Sequence, residues 1–160
     1  MHIAIGSDDA GFPLKEIIRE YLVALGQDVE DFGVKSPEPT DYPDVAFPLA
    51  EAVARQEFER GILICGTGIG MSISANKIPG VLAALCHDVY SAQRARKSNN
   101  AQVLTMGARV IGPELAKTIV AAWLESEFEN GRSTQKVEKI RRKDLESRVL
   151  GGGPVRETTQ

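Results

Sequence analysis

The segment Ile62-Leu-Ile-Cys-Gly-Thr-Gly-Ile-Gly-Met-Ser-Ile-Ser-Ala-Asn-Lys77 constrains the fold more than any other part of the chain. An apolar run ends in a cysteine, glycines follow at Gly66, Gly68 and Gly70, and a helical pattern then begins. A strand, a tight turn and a helix start, in that order, form the junction of a βα unit. Free N–H groups at such a turn bind anions, and the helix dipole adds positive potential. The same field stabilises negative charge on a nearby thiol. The segment therefore predicts an α/β fold in which Cys65, a potential base, sits beside an oxyanion cradle.

The remaining pattern alternates in the same way. His2–Ser7 reads as a strand, followed by a loop at Asp8–Gly11. Pro13 opens a helix whose apolar face is Leu14, Ile17, Ile18, Tyr21, Leu22 and Leu25, closed by Gly26. Asp28–Phe32 is a second strand. The proline-rich loop 35–44 leads to a helix over Val45–Glu57. Ile62–Cys65 is the third strand, and a helix runs on to Lys77. Val81–Cys86 is the fourth strand, and Asp88 caps a helix to Lys97. Val103–Met106 is the fifth strand, and Pro113 starts a helix to Phe128. Strands alternating with helices predict a parallel sheet covered on both faces, with ligands beyond the carboxyl ends of the strands. Residues 1–150 then form a single domain. A basic stretch from Arg132 to Arg148, with a narrow apolar stripe at Val137, Ile140, Leu145 and Val149, predicts a C-terminal helix over 132–150. Its stripe is too narrow for a core helix and suits docking on a second subunit. The polar end, 151–160, reads as a disordered tail.

Composition excludes several classes. A net charge of −3 gives no footprint for nucleic acid or an anionic membrane. Two cysteines make no disulfide framework, so a reduced, cytoplasmic setting is expected. The start of the chain has no signal-peptide pattern, and no apolar run reaches the ~20 residues of a membrane span.

The glycine turn departs from two known fingerprints. It lacks the G-x-G-x-x-G spacing and follows the third strand, although Asp88 lies where a ribose-binding acid would fall. No Gly-Lys-Ser/Thr follows it, which excludes a Walker A loop. What remains is a generic oxyanion cradle, set against a plain tight turn that needs glycine. Cys65 reads equally as a reactive thiol or as a buried filler, and Cys86 as core. His2 reads as structural. His87 falls on the ligand rim. Asp8 and Asp9 suit general acid–base work or turn chemistry. Asp41, Tyr42, Asn99 and Asn100 are polar loop candidates. Arg109, Arg132 and Lys136 suit a phosphate clamp or a solvated surface. No spacing suggests a metal site.

These residues resemble the ribose-5-phosphate isomerase B and galactose-6-phosphate isomerase family. Supporting segments are Ile5-Gly-Ser-Asp8, Thr40-Asp-Tyr-Pro43, Tyr90-Ser-Ala-Gln93, Asn99-Asn-Ala101, Met106-Gly-Ala-Arg-Val-Ile-Gly112 and Gly131-Arg132. The resemblance spans about residues 1–145. It implies a Rossmann-like three-layer α/β/α sandwich and a homodimer or tetramer with shared active sites. It implies aldose–ketose isomerisation of a phosphorylated sugar through a cis-enediolate, without a metal or other cofactor. Under it, Cys65 is the proton-transfer base. The amides of Gly66, Gly68, Ile69 and Gly70 form the oxyanion cradle, with Thr67 near the substrate oxygens. Asp8, Asp9, Asp41, Tyr42, His87 and Asn99 line the substrate. Arg109 holds phosphate, and Arg132 and Lys136 reach the partner subunit's site.

The departures point to the substrate. Where the ribose-5-phosphate enzymes carry Asp-His after the first strand, this chain has Asp8-Asp9. Their ring-opening histidine is Ser98 here, their C-terminal histidine is Ser133, and their second arginine is Lys136, which lacks the bidentate fork. Ring opening needs a proton shuttle near neutral pH, which serine alone does not provide. A tetrose 4-phosphate has its 4-oxygen blocked, cannot close a furanose and needs no ring opener. The favoured substrate is therefore D-erythrulose 4-phosphate, interconverted with D-erythrose 4-phosphate. The alternatives are ribose 5-phosphate, with His87 opening the ring, and a non-catalytic sugar-phosphate-binding module. Asp9 would repel a phosphate and suits a sugar hydroxyl or an unphosphorylated substrate better.

Overall fold

A computed structural model describes residues 1–149; the segment 150–160, which holds the expected disordered tail, lies outside the described residues. Five parallel strands, β1 (His2–Ser7), β2 (Asp28–Asp31), β3 (Arg60–Cys65), β4 (Ala83–Leu85) and β5 (Val103–Gly107), form one sheet in the order β2-β1-β3-β5-β4. Helices α1 (Phe12–Ala24), α2 (Tyr42–Ala54), α3 (Ile69–Ala75), α4 (Val89–Lys97), α5 (Pro113–Leu124) and α6 (Thr134–Val149) complete the chain. Ile5 lies opposite Ile62, and Cys65 opposite Gly107. Among the described residues no helix is long and apolar enough to cross a membrane.

Strand side chains alternate between the two faces, and this alternation builds the layers. Ile62 and Ile64 join Ile3, Ile5, Leu104 and Met106 against Leu14, Ile18 and Leu22 of α1 and Ile119 and Trp123 of α5. Leu63 and Cys65 join Ala4 and Val103 against Val45 and Leu49 of α2 and Met71 of α3. Each fully buried Leu or Ile contributes roughly 1.5–3 kcal/mol. The expected three-layer α/β/α sandwich is present, and Cys65 points to the α2/α3 side.

Two buried cations stitch the layers, and neither stands out in the sequence. Lys15 is fully buried within the apolar face of α1. Its Nζ donates to Asp31 Oδ2 at 2.7 Å and to Val34 O at 2.8 Å, tying α1 to the end of β2. Arg60, buried at the start of β3, donates to the carbonyls of Trp123, Leu124 and Ser126 and pairs with Glu127. It thereby satisfies the last carbonyls of α5.

Several boundaries differ from the expected ones. Helix α2 begins at Tyr42 rather than Val45, because Asp41 is extended and Pro43 presets the first turn. Asp41 and Tyr42 are thus a helix start rather than free loop. Helix α3 stops at Ala75 rather than Lys77, since the Asn76 side chain turns to exchange hydrogen bonds with the backbone of Ala83 at 2.9 Å. Strand β4 is only three residues long. Helix α5 ends at Leu124 rather than Phe128, where Arg60 takes up its carbonyls. Leu25, expected on the apolar face of the first helix, follows the end of α1 and is exposed. Along α6, Val137 is buried while Ile140 and Leu145 are exposed.

Candidate active site

Strands β1 and β3 are neighbours, but the chain leaves β1 for α1 on one face and β3 for α3 on the other. Their carboxyl ends part there. The loops that follow, Asp8–Gly11 and Gly66–Gly68, flank the kind of crevice in which open α/β sheets bind ligands.

Cys65 closes β3 and is 4% exposed. Its Sγ accepts a hydrogen bond from the backbone N–H of Gly68 at 3.1 Å. Gly68 makes this bond from a left-handed conformation, φ 76°, and a Cβ there would stand 2.7 Å from the Met106 carbonyl carbon. Only glycine fits that turn. An N–H aimed at sulfur stabilises negative charge on it. Thr67 is exposed at the tip of the turn, and its Oγ1 accepts from the Ile69 N–H at 3.3 Å. Cys86 differs: burial and the neighbouring Asp88 push its thiol up to about 11, in keeping with a packing role.

Around the turn the structure gathers most of the expected residues. Arg109 packs over Gly66, where an added Cβ would lie 3.5 Å from Nη1, and its backbone N–H donates to Gly66 O at 3.0 Å. The Tyr42 ring covers Gly70, where an added Cβ would stand 2.5 Å from it. Asp8 is buried, and its Oδ1 accepts the Gly11 N–H at 2.9 Å. Burial and the charge of Asp9 push its carboxyl above the ordinary range, against the opposing pull of the Gly11 amide and Arg109. Asp9 Oδ1 accepts the Thr40 N–H at 3.2 Å, so this carboxylate anchors the proline-rich loop. Asp41 is exposed at the start of α2 and makes no capping bond with its side chain. His87 Nε2 accepts the Gly107 N–H at 2.9 Å.

The other expected residues form a separate group. Ser98 ends α4, and Asn99 follows it, before β5 begins. Between Val103 and Gly107, the partner of Cys65, β5 climbs about 13 Å at ~3.3 Å per residue. Ser98 and Asn99 thus lie towards the amino ends of the strands, the opposite end of the sheet from Cys65. The Glu129 N–H donates to Lys97 O at 3.1 Å, which brings the segment leading to Arg132 and Lys136 to that same end. Ser98 Oγ accepts from Arg94 Nε at 2.9 Å and from Arg94 Nη2, and Arg94 also pairs with Glu129 at 3.3 Å. Arg94 escaped notice in the sequence, where it is one of several cations on α4; its signal is the four-residue spacing to Ser98.

A cleft of about 770 Å³ lies under α6, lined by Phe58, Gly80, Gln102, Arg141 and Leu145 among others. It sits at the amino ends of the strands and holds none of the candidate residues. Among the described residues no three His, Cys, Asp or Glu side chains are grouped to hold a metal ion.

Known proteins resemble this chain in sequence and fold. Residues 3–140 match the ribose/galactose isomerase family. The D-erythrulose-4-phosphate isomerase of Pectobacterium atrosepticum is 59% identical over 144 residues, covering 88% of this chain and 93% of the relative. Ribose-5-phosphate isomerase B of Escherichia coli is 52% identical over 138 residues, covering 86% and 93%. The structure of Clostridium thermocellum ribose-5-phosphate isomerase B superposes with a TM-score of 0.90 at 46% identity, covering 91% of this chain and 99% of that one. The chain belongs to the ribose/galactose isomerase family.

Proposed function

We propose that this protein interconverts an aldose and a ketose phosphate through a cis-enediolate, with Cys65 as the base and D-erythrulose 4-phosphate as the favoured substrate. The observation that carries the reading is the Cys65 sulfur held by the Gly68 N–H at 3.1 Å, beside an exposed arginine packed on the same turn. The Cys65 thiolate takes a proton from C1 of the ketose. The electron pair forms the C1–C2 double bond and moves the carbonyl electrons onto O2. Loop amides and Thr67 face the developing oxyanion. The hydroxyl of Thr67 both donates and accepts, which suits it to carry a proton between O2 and O1. Cys65 then returns its proton to C2, giving the aldose with no net change in atoms or electrons.

The four-carbon substrate follows from Ser98. Its hydroxyl oxygen is engaged by Arg94, so it supplies no base for opening a sugar ring. A tetrose 4-phosphate requires none. The same chemistry is named for the Pectobacterium relative. Asp9, engaged with Thr40, is left to meet a sugar hydroxyl rather than the phosphate.

A homodimer with shared sites accounts for the two separated groups. Asn99, Arg132 and Lys136 lie too far along the sheet to serve Cys65 of their own chain, so they serve the partner's. Ile69 and Ile73, beside the Cys65 turn, are 51% and 58% exposed, an apolar face suited to a second copy.

A panel of sugar phosphates on purified protein tests the substrate. D-erythrulose 4-phosphate should turn over faster than ribulose 5-phosphate or ribose 5-phosphate. The reverse order would sink the four-carbon reading. No conversion of any ketose phosphate to its aldose would sink isomerisation itself and leave a binding module.

A further inference from the structure

We infer that His87 is a positioning residue: as a neutral imidazole it holds the end of β5 against the Cys65 turn, and it does not open a sugar ring. The inference rests on the isomerase reading above. It begins from a hydrogen bond whose direction is fixed. The Gly107 N–H is a donor, so Nε2, 2.9 Å away, must be the acceptor, and the ring proton resides on Nδ1. A ring opener must take and give a proton. With Nε2 occupied by a main-chain donor, the imidazole has no free base site, and protonating Nε2 would set two donors against each other.

What His87 holds matters more than the bond itself. Gly107 lies flat against the catalytic turn: a Cβ on it would stand 2.6 Å from the Thr67 carbonyl carbon and 2.7 Å from Thr67 Cα. The next two residues continue the attachment. The Ala108 N–H donates to Cys65 O at 2.8 Å, and the Arg109 N–H donates to Gly66 O at 3.0 Å. The turn closes on itself through Val110 and Ile111, whose N–H groups donate to Gly107 O at 2.9 and 3.2 Å. His87 therefore braces, from the β4–α4 loop, a segment that touches Cys65, Gly66 and Thr67 and carries Arg109. Position errors of under an ångström at such groups lower turnover more than binding.

Two substitutions separate bracing from ring chemistry. His87→Gln carries an amide oxygen to the place of Nε2 and accepts the same bond without titrating. His87→Leu fills the space and accepts nothing. With D-erythrulose 4-phosphate, His87→Gln should keep turnover within about threefold of the parent, while His87→Leu loses about tenfold or more in kcat with KM little changed. Amide hydrogen exchange at Gly107 should stay slow in His87→Gln and become fast in His87→Leu.

A His87→Gln variant that keeps the tetrose phosphate but loses ribose 5-phosphate would make His87 the ring opener and overturn the inference. So would a His87→Gln variant as impaired as His87→Leu, or a fully active His87→Leu. If His87→Leu does not fold, His87→Gln decides by the same criteria. A parent protein inactive on every sugar phosphate would defeat the isomerase reading instead, and Gly107 exchange would still decide whether His87 holds the turn.

Discussion

The Cys65 sulfur and the Gly68 N–H are 3.1 Å apart, joined across a turn only three residues long. The contact makes the end of β3 and the start of α3 one electrostatic unit. The thiol and the donors that would stabilise an enediolate are set by the same backbone. Helix α3 has only seven residues, so the loop amides, rather than a long helix dipole, supply most of the positive potential.

Cys65→Ala should lower kcat by about 10³-fold, within the range expected for loss of a positioned proton-transfer group, with KM little changed. Initial rates of ketose-to-aldose conversion, followed by mass spectrometry, check it. A variant that still converts at the parent rate would remove Cys65 from the chemistry.

Gly68→Ala should destabilise the protein by about 2 kcal/mol or more, from a disfavoured φ and a Cβ crowding Met106. Urea unfolding measures it. Activity should fall as well, because relief of the clash turns the Gly68 N–H away from sulfur.

Asp8 predicts a pH dependence of stability. Burial raises its carboxyl above 3.8, so the folded state binds the proton more tightly than the unfolded chain. Stability assigned to this group is therefore lost as pH rises from 3.8 through the folded value, the reverse of the usual paired carboxylate. Asp8→Asn keeps an acceptor for the Gly11 N–H and removes the charge. Its melting temperature should exceed the parent's at pH 7, with the gap closing towards pH 3.5 in paired thermal scans.

Shared sites predict complementation. Cys65→Ala and Arg132→Ala proteins should each be nearly inactive alone. Unfolded together and refolded, they form mixed dimers in which one site has both an intact Cys65 and the partner's intact Arg132. About a quarter of parent activity should return if pairing is random. No recovery, with mixed dimers verified by mass spectrometry, would assign Arg132 to the site of its own chain and overturn the shared site.

Much of the fold is legible in the chain because its signals are local. The alternation of Ile62, Leu63, Ile64 and Cys65 assigns each residue to a sheet face, and Gly68 marks a turn that no other residue makes. Lys15 and Arg60 are different. Each charge sits in an apolar element, and its burial is decided by partners such as Val34 for Lys15, and Trp123 and Ser126 for Arg60. Helix ends shifted for the same reason: Asn76 stops α3 by bonding to Ala83 across a loop.

The chain by itself determined the thiol, the glycine turn after it and the order of βα units, since hydrogen bonding within a few residues and side-chain periodicity specify them. It also carried the family resemblance, and with it the departures at Asp9, Ser98 and Ser133. Tertiary structure decided which of these residues meet. It brought Asp8, Tyr42, His87 and Arg109 to the Cys65 turn, and left Ser98, Asn99, Arg132 and Lys136 towards the other end of the strands. It gave Asp9 to Thr40, Ser98 to Arg94 and His87 to Gly107. Those pairings depend on strand order and on the direction in which each helix crosses the sheet, which are set by burying two apolar faces at once rather than by any local run of residues.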